Sequence, residues 1–260
     1  MKIISFCADG LKNAASNGFY DWMAEQDADV VCIQNIQCSE YDLRDDLYFP
    51  REYNPYFFEA ADSKTNGVAI YTRQLPKAIM TGLGFNDFDA EGRYIQADFD
   101  DISIGCLLAP SAYPSDSAAQ ARKSQFFDLY YNHLQKVKNK RREFVICGNW
   151  NIAHRSIDVQ NGGNCQGISG FLTEEQQWME RLFKDLDYAD AFRLYNTDPD
   201  EFSWWPNGRD SDDAWRVDYQ IVSERLRSTV EYGVIYKNQE FSSHAPVIVD
   251  YEYELPEFQF

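Results

Sequence analysis

The chain has 260 residues, enough to bury a substantial core as one α/β or sandwich domain, and a single domain over residues 1–260 is expected. Acidic residues outnumber basic ones by 42 to 24, a formal net charge of -18, which disfavours autonomous tight binding of a phosphate backbone because such a groove needs a local excess of cations. No apolar run approaches the ~20 residues of a membrane span, and the opening "MKIISFCADG" lacks the pattern of a secretory signal, so a soluble, cytoplasmic protein is expected.

Short runs rich in Val and Ile predict buried strands at residues 2–6, 29–34, 67–72, 93–99, 102–108, 143–148, 217–222, 229–236 and 245–251. The runs at 93–99 and 102–108 are separated only by Asp100 and Asp101, as in a hairpin. Phe126, Leu129, Tyr130, His133, Leu134 and Val137 recur at three- and four-residue steps and predict a helix from Ala118 to about Lys140. A second helix is expected in "FLTEEQQWMERLF", where Thr173 and Gln176 have the spacing of a capping box. Strands alternating with helices predict an α/β protein in which two mixed sheets pack face to face with helices outside. Residues 196–213 form the longest irregular stretch, and such stretches in compact domains are often functional. The six cysteines contain no C-x-x-C pair, and Cys32, Cys106 and Cys147 sit in apolar runs. They read as core thiols in a reducing compartment, not as ligands or bridges.

Polar residues collect where the predicted strands end: Asp9 after "IISFC", Gln34 and Asn35 after "VVCI", Asn149 and Asn151 after "FVICG", Asp218 at the start of "DYQIV", and Ser243 with His244 before "APVIV". Composition alone leaves two readings, turn formers and strand caps, or a site gathered at one rim of the sandwich.

The order of motifs "FCADGL", "ADVVCIQN", "GVAIYTR", "GNWN", "FSWW", "RVDYQIV" and "SSHAPV" resembles the exonuclease III branch of the endonuclease/exonuclease/phosphatase family across essentially the whole chain. That resemblance implies a four-layered α/β sandwich. It also implies a hydrolytic pattern from which this chain departs. The family has Asn where Cys7 stands, a metal-holding Glu at Asn35, a water-activating Asp at Asn149 and a metal-holding Asp at Ser243, whereas Asp9, Asn151, Asp218 and His244 fit it. A hard cation is held through carboxylates far better than through amides, and losing a positioned base costs ~10² to 10⁴ in rate. The expectation is therefore a pseudoenzyme with no catalytic residue, no metal and no cofactor. The residues "GLGF", "GRYIQADFD", "KRRE", "FSWWP", "WRVDYQ" and "HAPVIVDY" further resemble a non-catalytic branch of the family. For that branch the resemblance implies a translational repressor of carbon-source use that acts with the RNA chaperone Hfq on A-rich mRNA leaders.

Lys136, Lys138, Lys140, Arg141 and Arg142 are the one dense basic run. They read either as cations capping a helix C-terminus or, for Lys138, Lys140, Arg141 and Arg142, as contacts to RNA phosphates or a partner. Trp204, Trp205 and Trp215 flank the irregular stretch and are expected in the core, with base stacking as the alternative. His133 and His154 have no metal-spaced partner. Two other classes compete with the repressor: a weak magnesium-dependent phosphodiesterase or abasic-site endonuclease resting on Asp9, Asp218 and His244, and a dimeric scaffold that binds only protein.

Overall fold

The computed structural model describes residues 1–161 and 165–255. Two six-stranded mixed sheets pack face to face. The first contains β1 (Lys2–Cys7), β2 (Val30–Gln34), β3 (Asn54–Phe58), β4 (Val68–Thr72), β11 (Val230–Ile235) and β12 (Val247–Tyr251), in the order β11-β12-β1-β2-β4-β3. The second contains β5 (Ala78–Thr81), β6 (Tyr94–Asp98), β7 (Ile102–Leu108), β8 (Glu143–Asn149), β9 (Ala189–Asp190) and β10 (Asp218–Val222), in the order β5-β6-β7-β8-β10-β9.

The central strands are buried on both faces, and successive side chains alternate between the core shared by the sheets and the core under the helices. In β1, Ile3 enters the core between the sheets, while Ile4 and Phe6 turn outward under α1 (Leu11–Ser16) and α2 (Phe19–Glu25), joining Leu11, Phe19 and Met23. On the other sheet, Leu107, Ile146 and Tyr219 turn outward under α4 (Ser117–Val137) and α5 (Thr173–Lys184), meeting Phe126, Tyr130, Trp178 and Leu182. The shorter α6 (Ala191–Tyr195) packs against the edge strands β11 and β9, and α3 (Asn86–Asp89) adds Phe88 to the core under α4. The result is the expected helix, sheet, sheet, helix layering.

All nine predicted strands are present, and β6 and β7 form the expected hairpin with Tyr94 opposite Leu107. Three strands escaped prediction. β3 contains Pro55, which cannot donate to a ladder and is tolerated because β3 is an edge; β5 and β9 are also edges and only four and two residues long. The cap of α5 differs from the expected box: Thr173 is already helical, and Glu175, not Gln176, reaches back to accept from the backbone N–H groups of Leu172 at 3.0 Å and Gly170 at 2.7 Å.

Two parallel pairs position the site. β1 runs parallel to β2 and β7 parallel to β8, so their C-terminal ends share one rim, where antiparallel β10 and β12 begin. Gly148 lets β8 approach β7 there, since a Cβ on it would lie 2.2 Å from the Leu107 carbonyl oxygen.

Candidate active site

A cavity of 340 Å³ opens at that rim, lined among others by Asp9, Asn35, Arg93, Asn149, Asn151 and His244. Asp9 leaves β1, Asn35 leaves β2 and Asn151 leaves β8 with φ of 46°, 57° and 54°. Asn and Asp tolerate this left-handed backbone better than other side-chain-bearing residues, so the sharp turns explain the residue types as well as the site does. The turn reading thus fits these three residues, and the same strand ends line one cavity.

The cavity floor is one hydrogen-bonded chain. Ser203 donates to Asp218 Oδ2 at 2.7 Å, and the same oxygen pairs with His244 Nδ1 at 2.8 Å, which turns Nε2 toward Asp9 Oδ2 at 3.9 Å. The Ser243 hydroxyl donates to Asp9 Oδ2, and Asn35 Nδ2 donates to Oδ1 at 2.8 Å. Cys7 Sγ lies 3.7 Å from Asp9 Oδ1 and receives Asn149 Nδ2 at 3.6 Å. Asn149 Oδ1 accepts from the Asn151 backbone N–H at 2.9 Å, and Asn151 Nδ2 donates to the Ala109 carbonyl at 2.8 Å.

The electrostatics follow from burial and these neighbours. Burial disfavours a charged His244, but Asp218 beside it raises the imidazole well above its ordinary range. For Asp9, burial is outweighed by His244 and the hydrogen bonds of Ser243 and Asn35, so the carboxyl is held down. Burial, opposed by His244, pushes the Cys7 thiol up to about 11. The centre thus sets His244, its proton affinity raised, between Asp218 and Asp9, beside a thiol whose proton burial holds.

The hard divalent cation that the family resemblance implies does not fit this donor set. Asp9 is the one carboxylate turned into the cavity among its lining residues, and both its oxygens already accept hydrogen bonds. The carbonyl oxygen of Asn35 accepts from Gln37 at 3.2 Å, and that of Asn149 is spent on Asn151. Magnesium prefers carboxylate oxygen and water in near-octahedral geometry.

Other sequence-derived candidates lie elsewhere. The basic run sits at the opposite end of β8, about 20 Å from Asn149 at ~3.3 Å per residue. Within it Lys138 pairs with Asp187 at 2.6 Å, and Arg142 is tied to Asp98 at 3.0 Å and to the carbonyls of Phe99 and Asp100. Those two hold partners within the fold, whereas Lys140 and Arg141 are exposed and form no ion pair among the described residues. Trp205 and Trp215 are buried as expected, but Trp204 forms the cavity wall, its ring stacked 5.7 Å from His244. His133 stacks on Tyr130, and His154 bonds Glu180 at 2.8 Å.

Two contributors were missed. Arg93 lines the cavity, paired with Glu91. Lys123, inside the apolar stripe of α4, donates to the Asn151 carbonyl at 2.7 Å while paired with Glu175 at 2.6 Å. A lysine among Phe126, Phe127 and Tyr130 was its only sequence signal.

Comparison with known proteins adds the following. The model of the "Endonuclease/Exonuclease/phosphatase family" matches residues 7–244. The chain is 29% identical over 254 residues to an exodeoxyribonuclease of Bacillus subtilis (strain 168), covering 95% of this chain and 98% of that protein. It is 28% identical over 253 residues to the DNA repair nuclease APEX1 of Danio rerio, covering 95% and 81%. Among solved structures, an AP endonuclease from Archaeoglobus fulgidus aligns with TM-score 0.88 at 20% identity, covering 97% of this chain and 100% of that one. A 3'-5' exonuclease from Neisseria meningitidis aligns with TM-score 0.86 at 19% identity, with the same coverages. At those identities the structural likeness carries the fold alone.

Proposed function

The chain belongs to the endonuclease/exonuclease/phosphatase family, and on that premise we propose that it is a non-hydrolytic member acting as a translational repressor with Hfq on A-rich mRNA leaders. In this it resembles the catabolite repression control proteins. The supporting observation is the state of Asp9: it is the one carboxylate in the cavity lining, and its oxygens are taken by Ser243 and Asn35, two positions where the family pattern has acids. Asn149, at the position of the water-activating acid, turns its amide toward Cys7. A chain of net charge -18 needs a partner to supply RNA affinity, and exposed Lys140 and Arg141 are the proposed contact to that assembly.

A second reading, a magnesium-dependent DNA phosphodiesterase, is favoured by the relatives' names, which are those of DNA nucleases. One pair of assays separates the two. Purified protein is incubated with magnesium and an abasic-site duplex, and separately with A-rich RNA with and without Hfq. The proposal expects no metal-dependent cleavage and a ternary complex only when Hfq is present. Cleavage that disappears in His244→Ala would establish the nuclease instead, and RNA binding at physiological salt without Hfq would remove the co-repressor form. Charge reversal at Lys140 and Arg141 is expected to weaken the ternary complex; unchanged assembly takes them out of the contact.

A further inference from the structure

The same cavity floor offers a donor set of a different kind. Cys7 Sγ, an Asp9 carboxylate oxygen and a ring nitrogen of His244 all lie within 4.8 Å of one another. Sγ is 3.7 Å from Asp9 Oδ1, and Nε2 is 3.9 Å from Oδ2. A tetrahedral zinc ion, with bonds of about 2.3 Å to sulfur and about 2.0 Å to nitrogen and oxygen, sets such ligand atoms about 3.5 Å apart. The two distances run to different oxygens of Asp9, so binding requires one of those oxygens to exchange its hydrogen bond from Asn35 or Ser243 for the metal while the three donor atoms close from within 4.8 Å to that spacing.

Three further features point to a ligand. Asp218 holds His244 Nδ1 at 2.8 Å, leaving Nε2 as the outward donor, the carboxylate–histidine arrangement that orients metal-binding imidazoles. Asp218 is almost fully buried, and its Oδ1 has no hydrogen-bond partner among the described residues. Asn149 Nδ2 donates toward Sγ at 3.6 Å, a contact that a thiolate formed on metal binding would keep. On the open side, the cavity leaves room for a water as fourth ligand.

We propose that Cys7, Asp9 and His244 form a binding site for a thiophilic divalent transition metal, zinc foremost. On binding, the S–H and Nε2–H bonds break, metal–sulfur and metal–nitrogen bonds form, and both protons pass to solvent. The discrimination against magnesium comes from the sulfur, a soft donor that hard cations avoid. This site is independent of the RNA-regulatory reading and stands or falls separately from it.

Cobalt(II) is the probe. Reduced, chelator-treated protein is titrated with cobalt chloride, then with zinc, and in parallel with excess magnesium. A thiolate-to-cobalt charge-transfer band with intense four-coordinate visible bands is expected, abolished by zinc and untouched by magnesium. Cys7→Ser removes the charge-transfer band and weakens zinc binding by about a hundredfold or more, while Cys38→Ser, away from the cavity, leaves both unchanged. Zinc-edge X-ray absorption of the unaltered protein needs no variant, and one sulfur neighbour near 2.3 Å is expected. A spectrum with only nitrogen and oxygen neighbours, or a charge-transfer band that survives in Cys7→Ser, overturns the site.

Discussion

At the residue scale, Asp158 shows how a buried charge is held in this fold. It is fully buried and accepts from Arg216 Nε at 2.8 Å and Arg193 Nη2 at 2.8 Å. Burial alone would raise its carboxyl, but Arg216 and then Arg193 bring it down from 3.8 to about 2. A carboxyl depressed in the folded state stabilises fully above its unfolded value and loses that contribution as pH falls through the folded one. The stability measured by urea unfolding should therefore drop by about 2 kcal/mol from this group between about pH 4 and pH 2. Carbon NMR of labelled aspartate supplies the site-specific check, and a midpoint for Asp158 at the ordinary value would contradict the pairing. None of this was visible in the chain order, because Asp158 and Arg216 are 58 positions apart. Asp9, Asn35, Asn149, Asp218 and His244 were legible because each sits at the end of a short apolar run, and strand ends in a sandwich meet at rims.

Between elements, the Lys123–Glu175 pair joins α4, α5 and the turn after β8. Lys123 reaches the Asn151 carbonyl, and Glu175 accepts from Gly170 and Leu172, so one buried ion pair fixes both the helix packing and the turn that carries Asn151. Burial lowers the lysine's proton affinity while Glu175 supports it. Lys123→Met strands a buried carboxylate and should cost about 3–5 kcal/mol in urea unfolding. The double change Lys123→Met with Glu175→Leu should recover part of that, and a loss equal to the single variant's would show that the backbone contacts dominate. Element existence was readable from Val- and Ile-rich runs, but β3, β5 and β9 were not, since Pro55 and very short edges carry no alternating signal. The α5 cap was misplaced by one residue because Glu175 and Gln176 both satisfy the spacing, and only the backbone path decides between them.

Across the whole molecule, the excess of 18 negative charges is the dominant long-range term. Like charges spread over a compact surface repel, and salt shortens their reach from about 30 Å at 0.01 M to about 3 Å at 1 M. Exposed pairs such as Lys12–Asp42 are weakened by the same screening but are worth little. The thermal midpoint should accordingly rise by a few degrees between low and 0.5 M sodium chloride; a fall would mean that ion pairs outweigh the net repulsion. The layer order was legible from the sequence, both as alternating strands and helices and as a family resemblance. Which basic residues lack an acidic partner was not, because Lys138 and Arg142 meet Asp187 and Asp98 only after the start of β8, the end of β6 and the segment after α5 come together.

The parallel pairing of β7 with β8 also sets the two proposed sites at opposite ends of the molecule. The cavity opens where those strands finish, and Lys140 and Arg141 stand where β8 begins. An ion at one end and a macromolecule at the other would not compete for space, so the two proposals predict that both bind at once and that a mutation at one end leaves binding at the other unchanged.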